Sequence, residues 1–157
     1  MQRDPAMPFK KILCAVDFSD TARLAARRAA ELALELDAEL VLVHVWQSPL
    51  LPERGEDILQ NELLAPIVKE QEACLDKAVQ DARAVGLERV TKKLLYGVPW
   101  DAIVRETRDD PAYDLVVMGT HGRTGIKQVL LGSVAERVAR HASCPVLLVR
   151  AKAGPSS

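Results

Sequence analysis

Residues 119–133 read GTHGRTGIKQVLLGS, with four glycines in fifteen positions. Arg123 and Lys127 are basic, and nothing acidic lies between Leu115 and Ala135. Glycine admits positive φ and lets a ligand come close to the backbone. Successive exposed N–H groups form anion nests. Ser133 opens a helical pattern, and a helix start offers free N–H groups and the positive end of a dipole. Together these features suit a phosphate chain. A blander reading also holds: Gly119 and Gly132 punctuate a loop, and Ser133 with Glu136 forms a capping box. The spacing matches neither the Walker A loop nor G-x-G-x-x-G.

Other chemically capable residues are sparse. Asp17 ends an apolar run, where its carboxylate can accept from ribose hydroxyls or base N–H groups. It can equally cap the helix that follows. His121 lies in the glycine stretch and could orient a water, although an exposed loop histidine explains it as well. His44 sits in a strand pattern and reads as packed. His141-x-x-Cys144 is half a metal site at most. Cys14 and Cys74 read as core filler. Neither a Ser-His-Asp nor a Cys-His arrangement is supported. Phosphoryl transfer needs a positioned nucleophile, metal and charge stabilisation, so binding with slow or negligible hydrolysis is the expectation.

The elements that must position these residues alternate in kind. Residues 11–16, 39–46, 89–96, 114–119 and 144–150 are short apolar runs. Residues 19–36, 58–85, 97–109 and 133–141 carry helical stripes. In residues 58–85 the stripe is Leu64, Ile67, Cys74, Leu75, Ala78, Ala82 and Val85, interrupted by Gln71 and stopped at Gly86. Pro99 suits a first helical turn. Residues 47–57 form a loop, and polar interruptions in 89–96 place that strand at an edge. The order β-α-β-α-β-α-β-α-β with apolar strands predicts an α/β fold, a doubly wound five-stranded parallel sheet with helices on both faces.

The bulk properties agree with one such domain, over residues 9–150. The chain has 157 residues, 48% hydrophobic but only 4% aromatic, so Ala, Val and Leu must fill the core. Its 21 basic and 22 acidic residues leave a net charge of −1, which argues against a broad nucleic-acid or membrane surface. Three cysteines make no disulfide framework and suit a reducing cytoplasm. No secretory signal or membrane span is visible. Residues 1–8 and 151–157 read as flexible ends.

Gly119-x-x-Gly122, nine residues, then Gly132-Ser133 resembles the G-2x-G-9x-G-[S/T] motif of the universal stress protein family, in its ATP-binding branch. KKILCAVDFSDTA, LVLVHVW, YDLVVMGTHGRTG and LLGSVAERVARHASCPVLLVR extend the likeness over about residues 9–150. It is weakest over residues 47–95. The resemblance implies a strand order of 3-2-1-4-5 and a site at the crevice between the first and fourth strands. Asp17 would contact adenosine, and Val45 would offer backbone groups to the adenine edge. Ala15, where some relatives carry proline, and Met118 would line the base or ribose pocket. Gly119, Gly122, Gly132, Ser133 and Val134 would surround ribose and phosphates. A Mg or Mn ion would ride on the phosphate oxygens. The resemblance also implies a homodimer through the last strand, around Val146–Val149, whose apolar edge needs a cover. The function implied is a nucleotide-dependent stress-response or signalling protein. The alternative is a slow ATPase or nucleotide-dependent transferase.

Overall fold

The computed structural model describes residues 9–51, 58–121 and 131–151. The expectations for Gly122, Arg123, Lys127, the loop centre 52–57 and the ends 1–8 and 152–157 fall outside the described residues.

Five parallel strands form one sheet: β1 (Lys11–Ala15), β2 (Glu39–Trp46), β3 (Val90–Tyr96), β4 (Leu115–Gly119) and β5 (Val146–Val149). Their order is β3-β2-β1-β4-β5, so the polar-interrupted β3 is an edge strand and β5 is the other. Among the described residues four α-helices connect them: α1 (Asp20–Leu36), α2 (Ala65–Ala84), α3 (Pro99–Asp109) and α4 (Ser133–His141).

Alternation along each strand explains the two layers. Side chains two apart share a face. Ile12, Cys14, Leu40, Leu42, Leu115 and Val117 pack with α1 and α2. Leu13, Val41, Val43, Val116 and Met118 pack with Ile103 of α3 and with Ala135 and Val138 of α4. Apart from Lys11, Glu39, His44 and the terminal Gly119, the strands β1, β2 and β4 are apolar, as a sheet covered on both sides requires. Helix α1 buries only alanines, at 22, 25, 29, 30 and 33, so its backbone lies close to the sheet.

Helix boundaries follow local chemistry. Ser19 caps α1 by accepting from Ala22 N at 3.2 Å. Asp37, at φ 52°, ends the same helix in the left-handed region. Gly86, at φ 109°, follows α2 where a stop was expected. Pro99 occupies the first turn of α3.

The helix expected from residue 58 begins only at Ala65. Two short 3₁₀ turns, Ile58–Gln60 and Glu62–Leu64, precede it. Asn61 holds the second turn by accepting from Leu63 N at 3.0 Å. Pro66, lacking an N–H, then sits in the first turn of α2, where none is required. The inward stripe of α2 is Leu75, Val79 and Ala82. Ile67 and Cys74 are exposed, so Cys74 is not core filler. Leu75 is the fully buried residue, and the roughly 100° step per residue turns its neighbour outward. Cys14 does fill the core.

Candidate functional site: a crevice at the carboxyl ends of β1 and β4

Strands β1 and β4 pair side by side, with Cys14 opposite Val117. The chain leaves β1 into α1 on one face of the sheet and leaves β4 toward α4 on the other. The winding reverses between them and opens a crevice there, the usual ligand position in an open α/β sheet. Its described walls enclose about 200 Å³.

Eight of the nine residues expected at the site line this crevice: Ala15, Asp17, Val45, Met118, Gly119, Gly132, Ser133 and Val134. The ninth, Gly122, is not among the described residues. The base of the crevice is apolar, formed by Ala15, Val43, Val45 and Met118 from three adjacent strands. Pro99 and Ile103 of α3 complete that wall. Sequence reading missed these two. The signal was present, since they stand one helical turn apart and α3 must cross the face that carries Val45 and Met118.

The mouth is polar. Asp17 Oδ1 accepts from Ser19 N at 3.0 Å and from Ser19 Oγ at 2.5 Å. Asp17 is therefore not the cap of α1. It braces Ser19, which is. Between them Phe18 adopts φ 65°, a left-handed conformation uncommon for a bulky residue. That kink turns the chain from strand to helix within the four residues between β1 and α1.

Across the mouth, Gly132 N donates to Thr120 O at 2.6 Å. This bond pins the start of α4 against the end of β4. Gly132 is the extended N-cap, with φ −68° and ψ 159°, and among the described residues no side chain caps the helix. The capping-box reading of Ser133 fails for that reason. Ser133 is already helical, and Glu136 pairs with Arg140 at 2.9 Å instead of reaching back. The amides of Ser133, Val134 and Ala135 open α4 with no preceding turn to accept from them. A Cβ on Gly132 would lie 3.0 Å from Thr120 O, so the close approach needs a glycine.

Gly119 has a different reason to be glycine. A Cβ there would stand 2.7 Å from Thr21 Cγ2 and 3.3 Å from the Thr21 carbonyl carbon. Its missing side chain lets α1 lie against β4. His121 is half-buried at the mouth, its Nδ1 3.0 Å from Thr120 Oγ1. Asp17 is the one carboxylate among the described lining residues.

Of the remaining candidates, His44 is buried at the crevice wall, its ring tilted against Phe18 with centroids 4.5 Å apart. His141 stacks on Trp100 at 5.5 Å, apart from any metal-like grouping. No cluster of three His, Cys, Asp or Glu exists among the described residues. Burial pushes the Cys14 thiol up to about 12.

The architecture and the position of the crevice define a doubly wound α/β protein of the kind that takes ligands at its switch point. Residues 8–150 match the model of the universal stress protein family. The chain is 41% identical to universal stress protein MJ0531 of Methanocaldococcus jannaschii over 145 residues, 90% of this chain and 82% of that one. It resembles the universal stress protein from Archaeoglobus fulgidus in complex with dAMP, with a TM-score of 0.64 and 29% identity. That match covers 91% of this chain and 99% of the other. It also resembles a universal stress protein in complex with cAMP, with a TM-score of 0.68 and 30% identity, over 90% and 97% of the two chains. The chain belongs to the universal stress protein family.

Proposed function

We propose that this protein binds an adenine nucleotide, ATP foremost, in the β1–β4 crevice and acts as a nucleotide-dependent stress-response or signalling protein. The observation that carries the reading is the apposition of an apolar slot to a helix start. Ala15, Val45, Met118 and Ile103 offer a flat apolar seat for a base. The uncapped start of α4 offers amides to phosphates. Asp17 lines the same crevice and would accept from ribose hydroxyls or base N–H groups. The described slot is smaller than the roughly 300–1,000 Å³ of ordinary small-molecule pockets. It suits a nucleoside, with the phosphate chain running outward along α4. Relatives in complex with dAMP and cAMP support the adenine preference.

Asp17 alone is too little for a resident metal site, so a Mg or Mn ion would be held by phosphate oxygens. No described helix is long and apolar enough to cross a membrane. The three unpaired cysteines favour a reducing cytoplasm. An edge strand β5 bearing a 42% exposed Leu147 supports pairing with a second copy.

Calorimetric titration with ATP, with inorganic triphosphate as the control, tests the reading. The wild-type chain is expected to bind ATP. Asp17→Ala should weaken ATP by about 1–3 kcal/mol and leave triphosphate unchanged. Gly132→Val should abolish both, because its side chain displaces Thr120 from the start of α4. Absence of ATP binding by the wild-type chain at millimolar concentration overturns the proposal.

A further inference from the structure

One buried polar arrangement lies at the inner wall of the crevice, which His44 and Val16 help to line, and reaches from there to α2. His44, in the middle of β2, turns its ring toward the α1–α2 face, while its neighbours Val43 and Val45 face the other layer. Its Nδ1 donates to Val16 O at 2.8 Å. Its Nε2 lies 2.8 Å from the side-chain amide of Gln71 in α2. Its ring packs at a tilt against that of Phe18. Val16 and Phe18 flank Asp17 in the chain. A single side chain therefore grips both neighbours of the carboxylate that faces the crevice.

The grip has a physical purpose. The left-handed backbone of Phe18 is costly for a bulky residue and persists only where its surroundings over-determine it. Released, Phe18 would relax toward ordinary φ and carry Asp17 and Ser19 away from the crevice. The strand hydrogen bond from Val16 N to Val43 O, at 2.9 Å, fixes the chain before the turn, and the Ser19 cap fixes it after. Between those points the ring of His44 gives lateral support. Gln71 interrupts the apolar stripe of α2 because it must meet that ring. A carboxamide can donate to a neutral imidazole or accept from a protonated one, so it holds the ring in either state.

We propose that His44 and Gln71 are positioning residues of the nucleotide site, acting through Asp17 on recognition of the adenosine portion. The inference rests on the proposed adenine-nucleotide reading and extends it to α2, which supplies no wall of the crevice among the described residues.

The test is a double-mutant cycle in the full chain, read by calorimetry with ATP and with inorganic triphosphate. His44→Phe keeps a ring against Phe18 and removes both hydrogen bonds. It should weaken ATP about tenfold and leave triphosphate unchanged. Combined with Asp17→Ala, it should cost nothing further, since both act through one carboxylate. Gln71→Leu should give a smaller loss, about threefold, with the same non-additivity, and serves if His44→Phe does not fold. A separate readout needs no nucleotide. Hydrogen exchange at the Ser19 and Ala22 amides of the ligand-free protein should speed up in His44→Phe and Gln71→Leu. Wild-type ATP affinity in these variants, losses that add to that of Asp17→Ala, or unchanged exchange at both amides would overturn the inference. Failure of the wild-type chain to bind ATP counts against the function proposed above, and the exchange measurement still decides whether His44 holds the turn.

Discussion

At the scale of single residues, similar types do unlike work. Gly132 is small because Thr120 O lies where its side chain would be, whereas Gly119 is small because Thr21 does. Cys14 and Cys74 look equivalent in the sequence and differ completely in access. Cys14 is fully buried with its thiol pushed up to about 12, while Cys74 faces solvent on α2. A thiolate is the reactive form. Treatment of the native protein with a maleimide at pH 7.5 should therefore label Cys74 first and leave Cys14 untouched until the chain unfolds. Peptide mass mapping reads the order directly.

At the scale of elements, helix–sheet distance is set by small residues. The five buried alanines of α1 and the bare Gly119 let that helix sit against β1 and β4. Gly119→Ala should lower stability by about 1–3 kcal/mol through overpacking. Thr21→Ser, which removes the methyl that the new Cβ would strike, should recover part of the loss in urea unfolding. The β1 and α3 ends are tied by Lys11 and Asp110, 2.8 Å apart. The Lys11 ammonium, and next the Ala112 amide, hold the Asp110 carboxyl below the usual range. A carboxyl with a depressed folded pKa stabilises above its unfolded value, near 3.9, and loses that contribution as pH falls through the folded value. The pair is partly exposed, so Asp110→Asn should cost only about 0.5 kcal/mol at pH 7. The difference from wild type should shrink in melts below about pH 4.

At the scale of the whole molecule, an open parallel sheet has two edges, and the chain treats them differently. Strand β3 carries two adjacent exposed lysines, Lys92 paired to Glu72 and Asp76, and Lys93 to Glu106. Strand β5 is VLLV, with no charge of its own and Leu147 exposed. Two copies joined along β5 would cover that edge in the manner of an isologous dimer. Light scattering should return twice the 17.2 kDa chain mass at micromolar concentration. Leu147→Glu should return a single chain mass while keeping ATP affinity, because β5 contributes nothing to the described crevice walls.

Much of the fold was legible in the sequence because it rests on local, periodic signals. Continuous apolar runs declared buried parallel strands, alanine-rich stripes declared helices, and the polar runs of β3 marked an edge. Those same signals located Asp17 and the glycine stretch at strand ends, which is where the crevice lies. The start of α2 was misjudged, since Asn61 and Pro66 act through turn geometry that periodicity does not register. Cys74 was misplaced because two adjacent residues compete for one helix face and only packing chooses between them. The Ser133 cap failed because a single long-range bond from Gly132 to Thr120 moved the cap by one residue. His44 with Gln71, and Pro99 with Ile103, meet their partners only after strands and helices from distant parts of the chain are stacked. Composition and spacing alone determined the layered sheet and the end of it where the crevice opens. Which side chains touch across that end was decided by tertiary contact, because hydrogen bonds and close packing between remote segments leave no period in a linear sequence.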